Sequence, residues 1–257
     1  EANRAAFSLG RLHAHDPEAC RVLLDEPAPA PPEGVDALVA RLSAMLVQYQ
    51  DRRLAARFEA LVQAVREREA VLGGEAVVTA AVARSFAKLL AYKDEYEVAR
   101  LYTDGEFERQ LHAQFEGDFR LEFHLAPPAL GAAKRRFGPW MLRAMRWLAK
   151  GKVLRGTPMD PFGRSVERRM ERALADAFEA RVREWLPRLD AATRERCQRI
   201  AEVPLSMRGF GHVKQANVEA ARQREAVLLH RLDPQRWPKP AAAGGAGQFR
   251  GIPVVGA

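Results

Sequence analysis

From Val35 to Val71 the apolar positions Leu38, Leu42, Met45, Leu46, Tyr49, Leu54, Phe58, Leu61, Val62 and Val65 recur mostly at steps of three and four. That is the period of a helix with one buried face. Gly73-Gly74 ends the pattern, as glycine commonly does past a helix C-terminus. Ala76 to Leu90 reads as a second helix, although Val77, Val78 and Thr79 at its start are β-branched and poor helix formers. Lys93 to Tyr102 (KDEYEVARLY) continues in helical pattern, Thr103-Asp104-Gly105 breaks it, and Glu106 to Phe115 is a short further helix. Basic Met141–Lys150, long Ser165–Trp185, Asp190–Ile200 and His212–Leu232 complete the helical set.

One segment has a different period. Within Gly117–Leu125, Phe119, Leu121, Phe123 and Leu125 alternate with Arg120, Glu122 and His124. Period two predicts a strand with one buried face. A lone strand leaves backbone donors and acceptors unpaired, so this one needs a partner, and another domain of a larger protein is one place to find it. The expected fold is therefore mainly α, a multi-helix domain with one short strand or hairpin.

Breaks in the pattern divide the chain. DEPAPAPPEG, Asp25 to Gly34, holds four prolines and cannot be helix or central strand. It reads as a semi-rigid linker over 25–34. Residues 1–24 before it read as the end of a preceding unit, 35–232 as a helical module, and 233–257, rich in proline, alanine and glycine, as a flexible tail. The chain opens on Glu1 in helical pattern, which suggests an excised piece of something longer.

The formal net charge is +8 over 257 residues, and its placement matters more than its size. Lys134 to Arg172 carries twelve basic side chains against three acids, so the rest of the chain is close to neutral. Lys134, Arg135, Arg136, Arg143, Arg146, Lys150 and Arg155 form a candidate basic face. Arg143, Arg146 and Lys150 share one side of a helix, with Trp140 and Trp147 nearby. Such a face suits an acidic protein partner, an acidic neighbouring domain or nucleic acid. The protein readings are preferred, because no recognised nucleic-acid motif accompanies the charge.

No stretch approaches the ~20 apolar residues that span a bilayer, and no signal segment opens the chain; a soluble, cytoplasmic protein is expected. Cys20 and Cys197, far apart and outside any CxxC spacing, read as free thiols. Glycine-rich phosphate loops, HExxH and nucleophile elbows are absent from the sequence. His13 and His15 are two apart, so a helix sends them to different faces. His124 reads as a partly exposed structural histidine; its functional alternative is a proton donor at a sheet edge. Arg208, His212 and Lys214 surround a glycine-flanked helix start, a candidate anion site whose alternative is a plain turn. Asp94, Glu95 and Glu97 read as a solvated helix face, with Glu97 and Arg100 paired three apart.

Four stretches together resemble one family: LLAYKDEYEVARLYTDGEF (Leu89–Phe107), GDFRLEFHLAPP (Gly117–Pro128), Lys134–Gly163 from KRRFGPWM through RGTPMDPFG, and RGFGHVKQAN (Arg208–Asn217). They are similar to the C-terminal region of fused indolepyruvate:ferredoxin oxidoreductases, over roughly residues 35–232. Residues 1–16 resemble the end of that family's preceding γ-type domain. The resemblance implies a parent 2-oxoacid:ferredoxin oxidoreductase that decarboxylates an aryl 2-oxoacid such as indolepyruvate, a homo-oligomer using thiamine diphosphate with magnesium and 4Fe-4S iron–sulfur clusters. The motifs for those groups lie in other domains of the family and none maps onto this chain. No catalytic residue, metal ligand or cofactor is carried over. The expected role is a non-catalytic module that braces the catalytic domains and presents a basic face to ferredoxin. An independent basic nucleic-acid-binding helical module is the rival.

Overall fold

The computed structural model describes residues 2–24, 33–117, 120–125 and 135–240. Among them the chain is mainly α, with eleven α-helices and one two-stranded antiparallel hairpin. It divides into two units, residues 1–37 and 38–257. The division falls in the first turn of a helix, just past the expected linker, most of which (25–32) lies outside the described residues.

In the first unit, α1 (Ala2–His15) and α2 (Pro17–Leu24) are separated by Asp16. Its Oδ1 accepts from the Glu18 and Ala19 amides, which caps α2, and Pro17 takes the first helical position where no N–H is needed. Cys20 is buried, and its thiol points at the Leu9 carbonyl.

α3 (Val35–Tyr49) opens at the division, and the second unit continues with α4 (Arg52–Ala70), α5 (Val77–Leu90), α6 (Glu95–Leu101) and α7 (Glu106–Gln114). After the strands β1 (Phe123–Leu125) and β2 (Arg135–Phe137) come α8 (Met141–Lys150), α9 (Val166–Trp185), α10 (Arg194–Glu202) and α11 (Gly211–Leu232). Helix α5 is the centre. It is buried nearly all round, and Ala81, Ala83 and Ala87 let its neighbours approach closely. α4, α9 and α10 pack on it. Phe86 sits between Phe58, at 6.4 Å between ring centroids, and Phe178, at 5.9 Å. Truncating such a ring costs about 3–5 kcal/mol.

The β-branched start of α5 is rescued from outside the helix. The buried Glu69 carboxylate on α4 accepts from the Val78 and Thr79 amides at 2.9 and 2.7 Å and from the Thr79 hydroxyl at 2.7 Å. A carboxylate at a helix N-terminus satisfies orphan amides and meets the positive end of the dipole. Arg194 from α10 closes the group at 3.2 Å.

Three expectations change. The pattern over 35–71 is two helices, because Asp51, extended at φ −164°, caps α4 through the Leu54 amide at 2.8 Å. The strand is shorter than its alternation and finds its partner in the same chain: Phe123, His124 and Leu125 pair with Phe137, Arg136 and Arg135. And the tail does not begin at Asp233. Asp233 accepts from the Gln235 and Arg236 amides, Trp237 is buried in the main core, and His230 meets the Trp237 carbonyl at 2.9 Å. Residues 241–257 lie outside the described residues.

A satellite core forms where α6, α8 and the hairpin meet. Ala99, Phe123 and Met145 are buried there, with Tyr102, Leu121 and Leu142 packed against them.

Candidate functional site

Two of the four family-like stretches converge on one side chain. Arg155, in the loop after α8, reaches Asp94 at the start of α6. Its Nε and Nη2 donate to the two carboxylate oxygens at 2.5 and 2.9 Å, and Nη1 donates to the Tyr49 carbonyl at 2.7 Å. The guanidinium lies over the Tyr49 ring at 3.7 Å. The Tyr49 hydroxyl in turn donates to the Tyr92 carbonyl at 2.9 Å. This paired, stacked geometry is particular to arginine.

The same loop folds on a second carboxylate. Asp160 accepts from the Gly156 amide at 2.9 Å, the Phe162 amide at 3.1 Å and the Tyr96 hydroxyl at 3.1 Å. Burial raises its pKa, but the donors outweigh it and hold the carboxyl below the usual range. Burial pushes Tyr96 up to about 12, helped by the Asp160 charge. The polar groups of this junction are bonded to one another. These bonds hold the loop after α8 against the start of α6.

Arg155 is therefore not part of an exposed face: it is 6 % exposed, and its charge is neutralised by Asp94. Asp94, expected on a solvated surface, is 4 % exposed. Glu97 does pair with Arg100, at 2.7 Å, and Glu95 pairs with Arg168 at 3.2 Å.

The remaining basic residues divide between the hairpin and α8. Arg135 and Arg136 are exposed on β2, with Arg136 3.6 Å from Glu122. Arg143, Arg146 and Lys150 are exposed on α8, which has no acidic residue. Lys150 lies 4.8 Å from the Trp147 ring centroid, and Trp147 is itself 74 % exposed. Trp140 is also exposed, so neither tryptophan is core. Met145, Leu142 and Leu148 hold the opposite side of α8 against the satellite core. Lys134 lies outside the described residues.

The glycine-flanked turn does bring Arg208, His212 and Lys214 to the start of α11. Lys214, however, is paired with Glu171 of α9, and Arg208 Nε donates to the Leu205 carbonyl at 3.2 Å. A carboxylate of the protein already answers the local positive charge. The residue missed here is Lys88, whose ammonium donates to the Pro204, Leu205 and Met207 carbonyls. Burial, then Arg208 and Lys214, lower its pKa. His124 is exposed on the hairpin, opposite Arg136.

Among the described residues no three His, Cys, Asp or Glu side chains gather in a way that would hold a metal ion. Cys20 and Cys197 are both free and buried, one in each unit. These residues do not fit an iron–sulfur cluster, which takes four cysteine ligands. No helix among the described residues is long and apolar enough to cross a membrane.

Residues 35–227 match DUF6537, a family of unknown function, and the chain belongs to that family. No curated protein and no solved structure matches it.

Proposed function

We propose that this member of DUF6537 is a non-catalytic helical module of a cytoplasmic 2-oxoacid:ferredoxin oxidoreductase acting on indolepyruvate or a related arylpyruvate, and that it docks ferredoxin. Thiamine diphosphate, magnesium and 4Fe-4S clusters belong, in this reading, to other domains of a homo-oligomeric parent enzyme. One observation carries the docking role. Helix α8 presents Arg143, Arg146 and Lys150 to solvent beside the exposed Trp147, while its other side is anchored in the satellite core. A cationic surface on a fixed helix steers an acidic partner and raises its association rate. An exposed tryptophan beside it supplies the apolar contact that such interfaces favour. The resemblance of Leu89–Phe107 and Lys134–Gly163 to the oxidoreductase family supplies the parent. Their convergence on the Arg155–Asp94 pair supports a bracing role, since it locks those stretches into one scaffold.

The test is charge reversal in the parent enzyme. Arg143→Glu with Arg146→Glu should slow electron transfer to ferredoxin and flatten its dependence on salt. Turnover with an artificial dye should be unchanged. An equal fall with both acceptors overturns docking. Fluorescence anisotropy with a labelled DNA or RNA duplex at physiological salt addresses the rival: saturable binding, lost on reversal, would replace ferredoxin by nucleic acid.

A further inference from the structure

A cavity of ≈ 230 Å³ opens beside the satellite core, between the end of α6, helix α7, the residues before β1 and helix α8. Tyr102, Phe107, Leu111, Leu121 and Leu142 give it apolar walls. Phe107 and Leu111 are four apart and share one side of α7, yet no residue of α7 is buried. This helix turns its apolar side to an open space and not to a closed core. The Tyr102 and Phe107 rings meet edge to face, 4.9 Å between centroids, so part of the wall is aromatic.

Two exposed charges of opposite sign line the same space. Arg146 stands one turn beyond Leu142 on α8, and Glu108 follows Phe107 on α7. Neither side chain has a hydrogen-bond or ion-pair partner among the described residues, and the two are not paired with each other. A simple carboxylate would be drawn to Arg146 and repelled by Glu108, and a simple amine the reverse. A ligand that satisfies both carries an anion and a cation on one apolar body. The volume lies below the about 300–1,000 Å³ of drug-sized sites, which keeps that body small.

We propose that this cavity binds a free α-amino acid with an apolar side chain, its carboxylate on Arg146, its ammonium on Glu108 and its side chain against Phe107, Leu111 and Leu142. The site goes beyond the docking role. Arg146 belongs to both, but Glu108, Phe107 and Leu111 belong to the cavity alone, so either reading can fail without the other.

Calorimetric titration of the 257-residue chain with L-leucine tests it. One saturable site is expected. Two fragments keep the leucine side chain: 4-methylpentanoate lacks the ammonium, and 3-methylbutylamine lacks the carboxylate. Each should bind at least about tenfold more weakly, the factor that a lost charge-assisted bond implies. Glu108→Gln, with native helicity by circular dichroism, should weaken leucine by a similar factor and leave 4-methylpentanoate no weaker. The fragment comparison uses the native chain, so it decides even where the variant fails to fold. The proposal is overturned by the absence of saturable binding up to about 10 mM, by either fragment binding as tightly as leucine, or by full retention of leucine in a folded Glu108→Gln chain.

Discussion

Arg155 and Asp94, 61 residues apart in sequence, form a two-pronged ion pair that is almost wholly buried. Asp94 also caps α6 through the Glu97 amide at 2.8 Å, so one carboxylate fixes a helix start and a distant loop together. The arginine then ties both to the end of α3 at the Tyr49 carbonyl. Removing one partner strands the other's charge in the interior, a loss of about 3–5 kcal/mol. Asp94→Ala or Arg155→Met should each lower the urea midpoint by that order, and the double variant should lose much less than their sum. A loss below about 1 kcal/mol for Arg155→Met would show that the pair is not the lock described here.

Asp160 gives this junction a pH dependence. Burial works against its charge, yet the amides of Gly156, Phe162 and Gly163 and the Tyr96 hydroxyl depress its pKa in the folded chain. A depressed carboxyl stabilises the fold above its unfolded pKa, about 3.9, and that contribution is lost as pH falls through the folded value. Asp160→Asn should therefore be less stable than the native chain at pH 7, by about 1–3 kcal/mol. The gap should close as the pH is lowered below about 3.9. Thermal unfolding across pH 2–7 measures it, and a gap constant with pH would assign the loss to shape rather than charge.

The helices were largely legible because burial imposes its period on the sequence: Leu38, Leu42 and Leu46 on α3 and Phe58, Leu61, Val62 and Val65 on α4 are all buried. The junction was not legible. Asp94 and Glu95 are adjacent acids in one polar run, and only their tertiary partners separate them: Arg155 holds the first almost fully buried, and Arg168 holds the second half-buried. Arg155 sits in a run of basic residues that pattern alone reads as one face. The break at Asp51 did carry local signals, a capping residue directly before a new apolar period and a step of five from Tyr49 to Leu54, but the threes and fours on either side masked them.

Gly163 is a steric test of the same loop. A Cβ there would lie 2.4 Å from Asp160 Oδ2 and 3.1 Å from Asp160 Cβ. Those atoms are held by the loop's own hydrogen bonds and cannot yield freely. Gly163→Ala should cost about 1–3 kcal/mol, the usual range for overpacking. Gly138→Ala is the control: its nearest contact would be an ordinary 3.6 Å to Trp140, and its stability should change by no more than about 0.5 kcal/mol. In an Asp160→Ala background the Gly163→Ala penalty should shrink, because the clashing carboxylate has gone. Equal penalties in both backgrounds would place the strain elsewhere.

Cys197 on α10 is fully buried in the main core, and burial pushes its thiol up to about 12. Only the thiolate reacts, so burial suppresses the reactive form at neutral pH before access is considered. A Cys20→Ser chain, with Cys197 its remaining thiol, should resist a disulfide-exchange dye under native conditions and react fully in urea. The labelling rate at low urea should follow the unfolded population, because the thiol becomes available when the core opens. Rapid labelling of the native chain would mean that α10 leaves the core far more often than its burial implies, and the central packing around α5 would need to be redrawn.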